Sequence, residues 1–203
     1  MSCLPQPAPE DPLPLARQWL TEAEARISKN PWAMALATVA RDGRISVRYV
    51  LLKELAESEG YIVFYTNYAS RKASELESAG RAAGALYWPD AGRQLRLEGK
   101  VERSPAAESD SYFASRPRAS QLNAWASEQS RAIDAPDSIV DRLATREAEF
   151  AEHADIPRPA AWGGYRLQLD AIEFWVEGMD RFHERLCYRR SSGGDWSSSW
   201  LQP

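Results

Sequence analysis

The stretch Ser46-Val47-Arg48-Tyr49-Val50-Leu51-Leu52-Lys53 gives the clearest indication of the fold and of the function. Val47, Tyr49 and Leu51 alternate with their neighbours at the two-residue period of a β-strand. Arg48 lies in the middle of this apolar run, and an unpaired charge is costly to bury. Two interpretations are open: an anionic group lies on the face of Arg48, or Arg48 occupies a sheet edge with its guanidinium in water.

Three other clusters of basic residues accompany this strand. They are Ser70-Arg71-Lys72, Arg116-Pro117-Arg118 and Arg181-Phe182-His183-Glu184-Arg185. The chain as a whole is acidic, with a formal net charge of −4, so a nucleic-acid partner is not expected. Local clusters of cations on an acidic protein indicate a small anionic ligand held in a pocket.

The composition limits the remaining possibilities. The 203 residues, 44% hydrophobic and 27% charged, suit a globular protein with one sizeable core. Two cysteines (Cys3, Cys187) and two histidines (His153, His183) are too few for a disulfide framework or a multi-histidine centre, so no metal site is predicted. No apolar run approaches membrane-spanning length and no leader pattern is seen, so we expect a cytoplasmic protein without a membrane partner.

The order of the predicted elements defines the fold class. The Pro-rich residues 1–10 predict a flexible arm, and 11–203 a single domain. A helix follows Asp11-Pro12, and further helices are predicted at 70–79, from Pro105 to Pro117, at 118–127 and around 139–150. Strands are predicted at 32–40, 46–53, 61–66, 82–88, 93–103, 165–169, 172–177 and 183–190, with a hairpin at Asp42-Gly43 and a bulge at Gly99. Strands early and late with helices between them predict an α+β fold, a mostly antiparallel sheet or barrel with peripheral helices.

Ser70-Arg71-Lys72 lies where a helix is predicted to start. The free backbone N–H groups and the helix dipole favour an anion there, and two cations with a hydroxyl would complete a phosphate site. The alternative is a solvated first turn that carries two exposed cations. Because cations at this end oppose the dipole, we favour the anion site.

A second candidate for phosphate binding surrounds Pro117. Tyr112 and Arg116 are four residues apart on a predicted helix face, and Ser120 follows just beyond the proline. A phenol, a guanidinium and a hydroxyl at one point would hold a second phosphate. Spacing alone favours the alternative, an ordinary helix–Pro–helix corner with exposed arginines.

The third cluster predicts a site for a flat ring. If 183–190 and the residues before it form a strand, Arg181, His183 and Arg185 project to the same face and could bind an aromatic heterocycle with oxygen or phosphate substituents. The chain contains no nucleophile-elbow, Walker or dinucleotide-binding motif. We therefore expect an organic cofactor to supply the reactivity that the side chains lack.

Taken in order, these residues resemble the pyridoxamine 5′-phosphate oxidase family. The matching segments extend from about residue 11 to the C-terminus, and the ordered set is specific although each segment alone is weak. They are Arg48-Tyr-Val-Leu-Leu-Lys53, Phe64-Tyr-Thr-Asn67, Ser70-Arg-Lys72, Arg93-Gln94, Tyr112-Phe-Ala-Ser-Arg-Pro-Arg118, Ser120-Gln121, Trp125-Ala-Ser-Glu-Gln-Ser130, Trp162-Gly-Gly164, Ile172-Glu-Phe-Trp175 and Arg181-Phe-His-Glu-Arg185.

The resemblance implies a split β-barrel that forms a homodimer with FMN at the subunit interface. The positions that match the family's FMN contacts are Arg48, Tyr49, Val50, Leu51, Leu52, Lys53, Tyr65, Thr66, Arg71, Lys72, Gln94, Gln129, Ser130, Trp175 and Arg185. Those that match its contacts to the phosphorylated B6 vitamer are Lys53, Tyr112, Arg116, Ser120, Arg181 and His183. Arg181 and His183 are the candidate catalytic residues, expected nearest the reacting carbon.

The implied reaction oxidises pyridoxamine or pyridoxine 5′-phosphate to pyridoxal 5′-phosphate by hydride transfer to FMN, which dioxygen reoxidises with release of peroxide. Two alternatives remain open: an FMN oxidase of the same fold acting on another aromatic substrate, as phenazine-pathway relatives do, and a non-catalytic carrier of FMN or pyridoxal phosphate. The chain departs from the family pattern at 177–180, at Phe182, at Glu184 and at Trp200, and no Lys or Arg precedes Arg17.

Overall fold

The computed structural model describes residues 4–203, so Cys3 lies outside the described residues. It contains eight strands: β1 Ala33–Val39, β2 Ile45–Ala56, β3 Tyr61–Asn67, β4 Arg81–Trp88, β5 Arg93–Arg103, β6 Trp162–Val176, β7 Glu184–Arg190 and β8 Trp196–Leu201. Five α-helices accompany them: α1 Leu13–Arg26, α2 Arg71–Ala79, α3 Ala106–Ser115, α4 Arg118–Ala126 and α5 Ser138–Glu149. Short 3₁₀ turns occupy Pro89–Ala91 and Met179–Arg181.

The strands close into a barrel. Six of them pair antiparallel in the order β3-β2-β1-β4-β5-β6, and β3 also pairs with β6, which completes the ring. The last two strands extend the sheet outward from β6 as β7 and then β8. This architecture confirms the predicted antiparallel split barrel with peripheral helices.

The barrel interior holds the main core, and the helices seal its open sides. Trp19 of α1 packs edge-on against Phe174, with ring centroids 5.1 Å apart. A second, smaller cluster around Phe113, Leu122 and Phe150 packs α3, α4 and α5 together beside β6. This cluster holds α3 and α4 next to the edge of β2 and β3, where the cavity described below opens.

Strand β2 turns Val47, Tyr49 and Leu51 outward, whereas Arg48 points inward. Val47 and Tyr49 are 63% and 76% exposed, whereas the side chain of Arg48 is only 21% exposed. The alternation predicted for this strand is therefore confirmed, and a sheet-edge arginine with a solvated head is excluded. The anionic group on the face of Arg48 is a carboxylate of the protein itself, that of Glu75.

One prediction for the C-terminal strands was wrong, and one strand was missed. The segments predicted as separate strands at 165–169 and 172–177 form the single strand β6, because β5 pairs with both parts. The register shifts between Glu98 and Gly99, where Asp170 of β6 is the extra residue opposite β5. A Cβ at Gly99 would lie 1.9 Å from the carbonyl oxygen of Gln168, so only glycine permits this approach. Strand β8 was not predicted.

The strand predicted from His183 begins one residue later, at Glu184, and the preceding residues form a tight turn. Asp180 and Arg181 adopt left-handed conformations, with φ values of 53° and 65°. The chain folds back so closely that a Cβ at Gly178 would meet the carbonyl of Phe182 at 1.8 Å. Arg181 and His183 therefore do not share a strand face with Arg185, contrary to the prediction.

The N-terminal segment of the described chain runs along the barrel. Leu4 is buried, and the carbonyl of Pro9 accepts a hydrogen bond from the Tyr188 hydroxyl at 3.0 Å. The flexibility of residues 1–10 and the single domain over 11–203 stay predictions. Among residues 4–203, every helix is too short or too polar to cross a membrane. The cytoplasmic location also stays a prediction.

Candidate active site

A cavity of about 500 Å³ opens between the β2–β3 edge of the barrel and helices α2, α3 and α4. Strands supply one wall and helices the other. Its lining consists of Tyr49, Val50, Leu51, Lys53, Tyr65, Thr66, Asn67, Lys72, Tyr112, Arg116, Pro117, Ser120, Asn123, Ala124, Ser127, Gln129 and Trp162. Two of the predicted phosphate-binding clusters thus contribute to one cavity.

The charge of this cavity is entirely positive. Lys53, Lys72 and Arg116 line it, and no carboxylate does so among residues 4–203. None of the three cations forms an ion pair within that part of the chain, although the protein carries a net charge of −4. A concave surface with unpaired cations in an acidic protein is suited to an anionic ligand.

Lys72 is the most deeply buried of the three cations. It lies in the first turn of α2 and is 7% exposed, and its Nζ donates to Thr66 Oγ1 (3.1 Å), Ser70 Oγ (3.2 Å) and Gln129 Oε1 (2.8 Å). Burial, with a smaller effect of the nearby Arg48 guanidinium, lowers the pKa of Lys72 to about 8, against the opposing pull of Glu75. The ammonium group is thus held in place at the helix N-terminus by neutral acceptors only.

Arg116 is partly buried against aromatic rings. Its guanidinium carbon lies 4.7 Å from the Trp162 ring centroid and 5.6 Å from that of Phe113. Its Nη1 is buried and has no hydrogen-bond partner among the described residues. Burial lowers the pKa of Arg116, partly offset by Tyr112. A buried donor without an acceptor, beside a cavity, indicates that a ligand supplies the missing acceptor.

A stack of parallel aromatic rings forms one wall of the cavity. The rings of Tyr65 and Tyr112 lie 4.0 Å apart at 15°, and those of Tyr65 and Trp162 lie 5.3 Å apart at 7°. Lys53 approaches the same wall, with its Nζ 5.9 Å from the Tyr112 centroid. Burial raises the pKa of the Tyr65 phenol, so this wall is uncharged at neutral pH.

Two predicted FMN contacts, Arg48 and Arg71, lie beside the cavity lining rather than in it. Both bind the carboxylate of Glu75, Arg48 through Nη2 at 3.1 Å and Arg71 through Nε at 2.7 Å. Both terminal nitrogens of Arg48 are already engaged, by the Leu36 carbonyl and by the hydroxyls of Thr38 and Ser46 as well. Arg71 makes no other hydrogen bond within residues 4–203.

A second group of predicted residues lies on the outer face of the sheet, away from the lining. Gln94, Trp175 and Arg185 are in register on β5, β6 and β7. Arg185 is held by Glu173, with Nε 2.7 Å from Oε1. His183 lies against Trp175, with ring centroids 4.6 Å apart.

The predicted site residues therefore divide into two groups within one chain. Those that line the cavity are Tyr49, Val50, Leu51, Lys53, Tyr65, Thr66, Lys72, Tyr112, Arg116, Ser120 and Gln129. Those that do not are Arg48, Leu52, Arg71, Gln94, Ser130, Trp175, Arg181, His183 and Arg185. Leu52 is buried in the barrel core, and Ser130 follows the lining residue Gln129 with a left-handed φ of 72°.

Sequence reasoning missed six lining residues, Asn67, Pro117, Asn123, Ala124, Ser127 and Trp162. Four of them lie in segments that matched the family pattern, which could have suggested them: Asn67, Pro117, Ser127 and Trp162. Asn123 and Ser127 follow Ser120 at intervals close to a helical turn on and after α4. Nothing in the sequence places that helix face toward the cavity.

The fold and the cavity together define a class: split-barrel proteins with a positively charged pocket that has an aromatic wall. The family model described as pyridoxamine 5′-phosphate oxidase matches residues 20–149. A second model, described as the pyridoxine 5′-phosphate oxidase C-terminal dimerisation region, matches residues 162–203. The chain belongs to the pyridoxamine 5′-phosphate oxidase family.

Individual relatives support this assignment over nearly the whole chain. A Cereibacter sphaeroides protein named pyridoxine/pyridoxamine 5′-phosphate oxidase is 47% identical, covering 97% of this chain and 96% of that protein. A Salinibacter ruber protein of the same name is 46% identical, covering 96% and 90%. Among solved structures, PhzG from Burkholderia lata 383, in complex with tetrahydrophenazine-1-carboxylic acid, has a TM-score of 0.88 and 34% identity, covering 98% of this chain and 95% of PhzG.

Proposed function

We propose that this chain is an FMN-dependent oxidase that converts pyridoxamine and pyridoxine 5′-phosphates to pyridoxal 5′-phosphate, with dioxygen as acceptor and hydrogen peroxide as product. The observation that carries the proposal is the cavity lined by three cations and, within residues 4–203, by no carboxylate. Relatives at 47% and 46% identity carry the name of this oxidase. The positive charge suits phosphorylated ligands, and the aromatic wall suits flat rings.

The α2 end of the cavity fits the phosphate of FMN. Lys72 offers an ammonium group there, and the unpaired N–H groups of the first helical turn add a favourable dipole. Thr66 and Gln129 accept hydrogen bonds from the Lys72 ammonium group at 3.1 and 2.8 Å. Because both groups are neutral, the charge of Lys72 stays available for a phosphate. We assign the FMN phosphate to this end, with Arg71 at its margin.

The opposite end fits the phosphate of the B6 vitamer. Arg116, with its unpartnered Nη1, lies near Lys53, Tyr112 and Ser120 in the same lining. Two cations and two hydroxyls match the charge and the acceptor oxygens of a phosphate dianion. This end retains its cations although the chain departs from the family pattern elsewhere on the substrate side.

We further propose that a homodimer completes the site, with FMN at the subunit interface. Gln94, Trp175 and Arg185 would then reach the cavity of the partner subunit. The outward apolar row of β2, with Ile45, Val47 and Tyr49 at 73%, 63% and 76% exposure, supports a subunit contact along this sheet. The match of residues 162–203 to a dimerisation region supports it independently.

The residues of the chain would act chiefly by binding and orientation. When bound, FMN supplies the hydride acceptor for C4′ of the substrate and returns the electrons to dioxygen. Arg116 and Lys53 anchor the phosphate, and the aromatic wall excludes water from one side of the ring. Arg181 and His183, which lie outside the lining of their own chain with His183 against Trp175, are assigned to the reacting carbon in the cavity of the partner subunit, where they would orient the amine or alcohol group. With pyridoxamine phosphate, water then hydrolyses the product imine to the aldehyde.

The decisive assay mixes the FMN-loaded protein with each phosphorylated vitamer under air. We expect formation of pyridoxal 5′-phosphate with an equal amount of hydrogen peroxide. Because PhzG was solved with tetrahydrophenazine-1-carboxylic acid, that compound is the matched alternative substrate. Faster oxidation of this compound than of either vitamer would refute the proposed substrate. A flavin that stays oxidised with either vitamer in the absence of oxygen would identify a carrier instead.

A further inference from the structure

Glu75 is the most heavily hydrogen-bonded carboxylate beside the cavity, and none of the predicted roles includes it. It lies on α2, one turn after Arg71, and is 4% exposed. Its Oε1 accepts from Arg71 Nε at 2.7 Å. Its Oε2 accepts from Ser46 Oγ at 2.7 Å, from Arg48 Nη2 at 3.1 Å and from the Thr38 hydroxyl. Four donors from β1, β2 and α2 thus hold this buried carboxylate in one orientation.

We infer that Glu75 is a positioning residue that holds Arg71 and Arg48 in the orientation needed to bind the phosphate of FMN. The inference rests on the proposed function, since FMN is the ligand assigned to this end of the cavity.

The contact to Arg71 fixes the plane of its guanidinium. Glu75 binds the Nε–H, and within residues 4–203 the two terminal nitrogens of Arg71 donate to nothing else. A guanidinium anchored at Nε presents its other edge, and that edge matches a phosphate with two parallel hydrogen bonds. Without the anchor, this half-exposed side chain would have to order itself when the ligand binds.

The contact to Arg48 has a different consequence. Both terminal nitrogens of Arg48 are engaged by the protein, and the hydroxyls of Thr38 and Ser46 each accept from Arg48 and donate to Glu75. This closed network joins β1, β2 and α2. Arg48 therefore acts through its charge and through the position of the helix start, where Lys72 lies.

Glu75 must be ionised for this network to hold. Burial alone would raise the pKa of Glu75, but hydrogen bonds from Ser46, Thr38 and Arg71 outweigh it and lower the pKa to about 2. The carboxylate is thus negative at every pH at which the protein would work. Placing a permanent negative charge next to a phosphate site opposes anion binding, so its presence there requires a compensating role.

The substitution Glu75→Gln separates positioning from simple electrostatics because the two predict opposite signs. Below pH 7, where Lys72 with its pKa of about 8 keeps its proton, removal of a negative charge alone would tighten FMN binding. An amide, however, has one acceptor oxygen, so Arg71 or Arg48 must lose its acceptor. We expect the Kd of FMN to rise about tenfold, the effect of one lost charge-assisted hydrogen bond. Riboflavin, which lacks the phosphate, should bind both proteins within about twofold.

The measurement is a titration of the flavin-free protein with FMN and with riboflavin, followed by quenching of flavin fluorescence. The control is Glu77→Gln, since Glu77 lies on the same helix but binds Arg103 and the Tyr165 hydroxyl instead. Glu75→Asp, which keeps the charge but cannot reach both arginines, should also weaken FMN. If circular dichroism shows that Glu75→Gln does not fold, the FMN affinity of Glu75→Asp provides the test instead.

The possible outcomes separate this inference from the proposed function. Wild-type protein that fails to bind FMN would refute the proposed function. Wild-type protein that binds FMN, with Glu75→Gln binding it equally or more tightly, would refute only the positioning role. Equal losses of FMN and riboflavin affinity would also refute it, because the effect would then be a general structural one.

Discussion

The affinity of this protein for FMN should fall above pH 8, because Lys72 loses its proton there before the ligand binds. Burial lowers the pKa of Lys72 to about 8, with a contribution from Arg48 and against the opposing effect of Glu75. Phosphate oxygens favour the ammonium form, so binding at higher pH must first restore the proton. The phosphate of FMN is itself a dianion throughout this range, since its second pKa is about 6.

The size of the effect follows from the fraction of Lys72 that is protonated. With a pKa of about 8, roughly nine tenths of the lysine carries its proton at pH 7 and about one tenth at pH 9. The Kd of FMN should therefore be about tenfold higher at pH 9 than at pH 7, which corresponds to about 1.4 kcal/mol. Riboflavin should show no such change because it has no phosphate for Lys72 to contact.

Fluorescence titrations of FMN and riboflavin at several values between pH 7 and pH 9 provide the test. Lys72→Arg is the matched variant, since a guanidinium keeps its charge over this range and should remove the pH dependence. A Kd of FMN that stays constant from pH 7 to pH 9 in the wild type would refute the reasoning. A parallel change in riboflavin affinity would also do so, because it would place the titrating group elsewhere.

Three further predictions address the other parts of the site. Arg116→Ala should raise the KM for pyridoxamine 5′-phosphate at least about tenfold and leave unphosphorylated pyridoxamine unaffected in steady-state assays; equal effects on both would contradict the phosphate contact. Val47→Asp should convert the dimer to monomers in light scattering and weaken FMN binding, whereas a stable dimer would place the interface elsewhere. In urea unfolding, the difference in free energy of unfolding between wild type and Glu75→Gln should shrink as pH falls from 4.5 toward 2. The folded protein stabilises only the ionised form of Glu75, whose pKa it lowers to about 2. A difference that stays constant over this range would contradict the prediction.

Most of the fold could be predicted from the sequence because its signals are local. The alternation along β5 and the turn at Asp42-Gly43 depend on short stretches of sequence, and both are present in the structure. The register shifts at Gly99 as predicted, but the extra residue of the bulge is Asp170 on the neighbouring strand β6. Strand β8 could not be predicted because Trp196–Leu201 contains three consecutive serines and becomes a strand only by pairing with β7. Its stability comes from a partner strand, which no local pattern reveals.

The site was predictable in its residue types but not in its arrangement. A strand with apolar residues on both faces does not show which face is buried, so the inward position of Arg48 could not be read from its neighbours. The partner of Arg48, Glu75, lies 27 residues away on a helix. The left-handed conformations of Asp180 and Arg181 could not be predicted either, because positive φ values are uncommon in residues other than glycine.

The pairing of charges explains how an acidic chain keeps a positive cavity. The carboxylates near the site pair with arginines that do not line the cavity. Glu75 binds Arg48 and Arg71 beside the lining, and Glu173 binds Arg96 and Arg185 on the outer face of the sheet. The cations of the lining are left without a carboxylate partner within residues 4–203, and two of the three are partly or largely buried. Burial of these unpaired cations destabilises the ligand-free protein, because they have lost part of their hydration without gaining a counter-charge. An anionic ligand that pairs with them does not have to desolvate them again, which strengthens its binding. The same separation predicts selectivity for anionic rings, because a neutral ring would contact the aromatic wall but leave the cations unpaired.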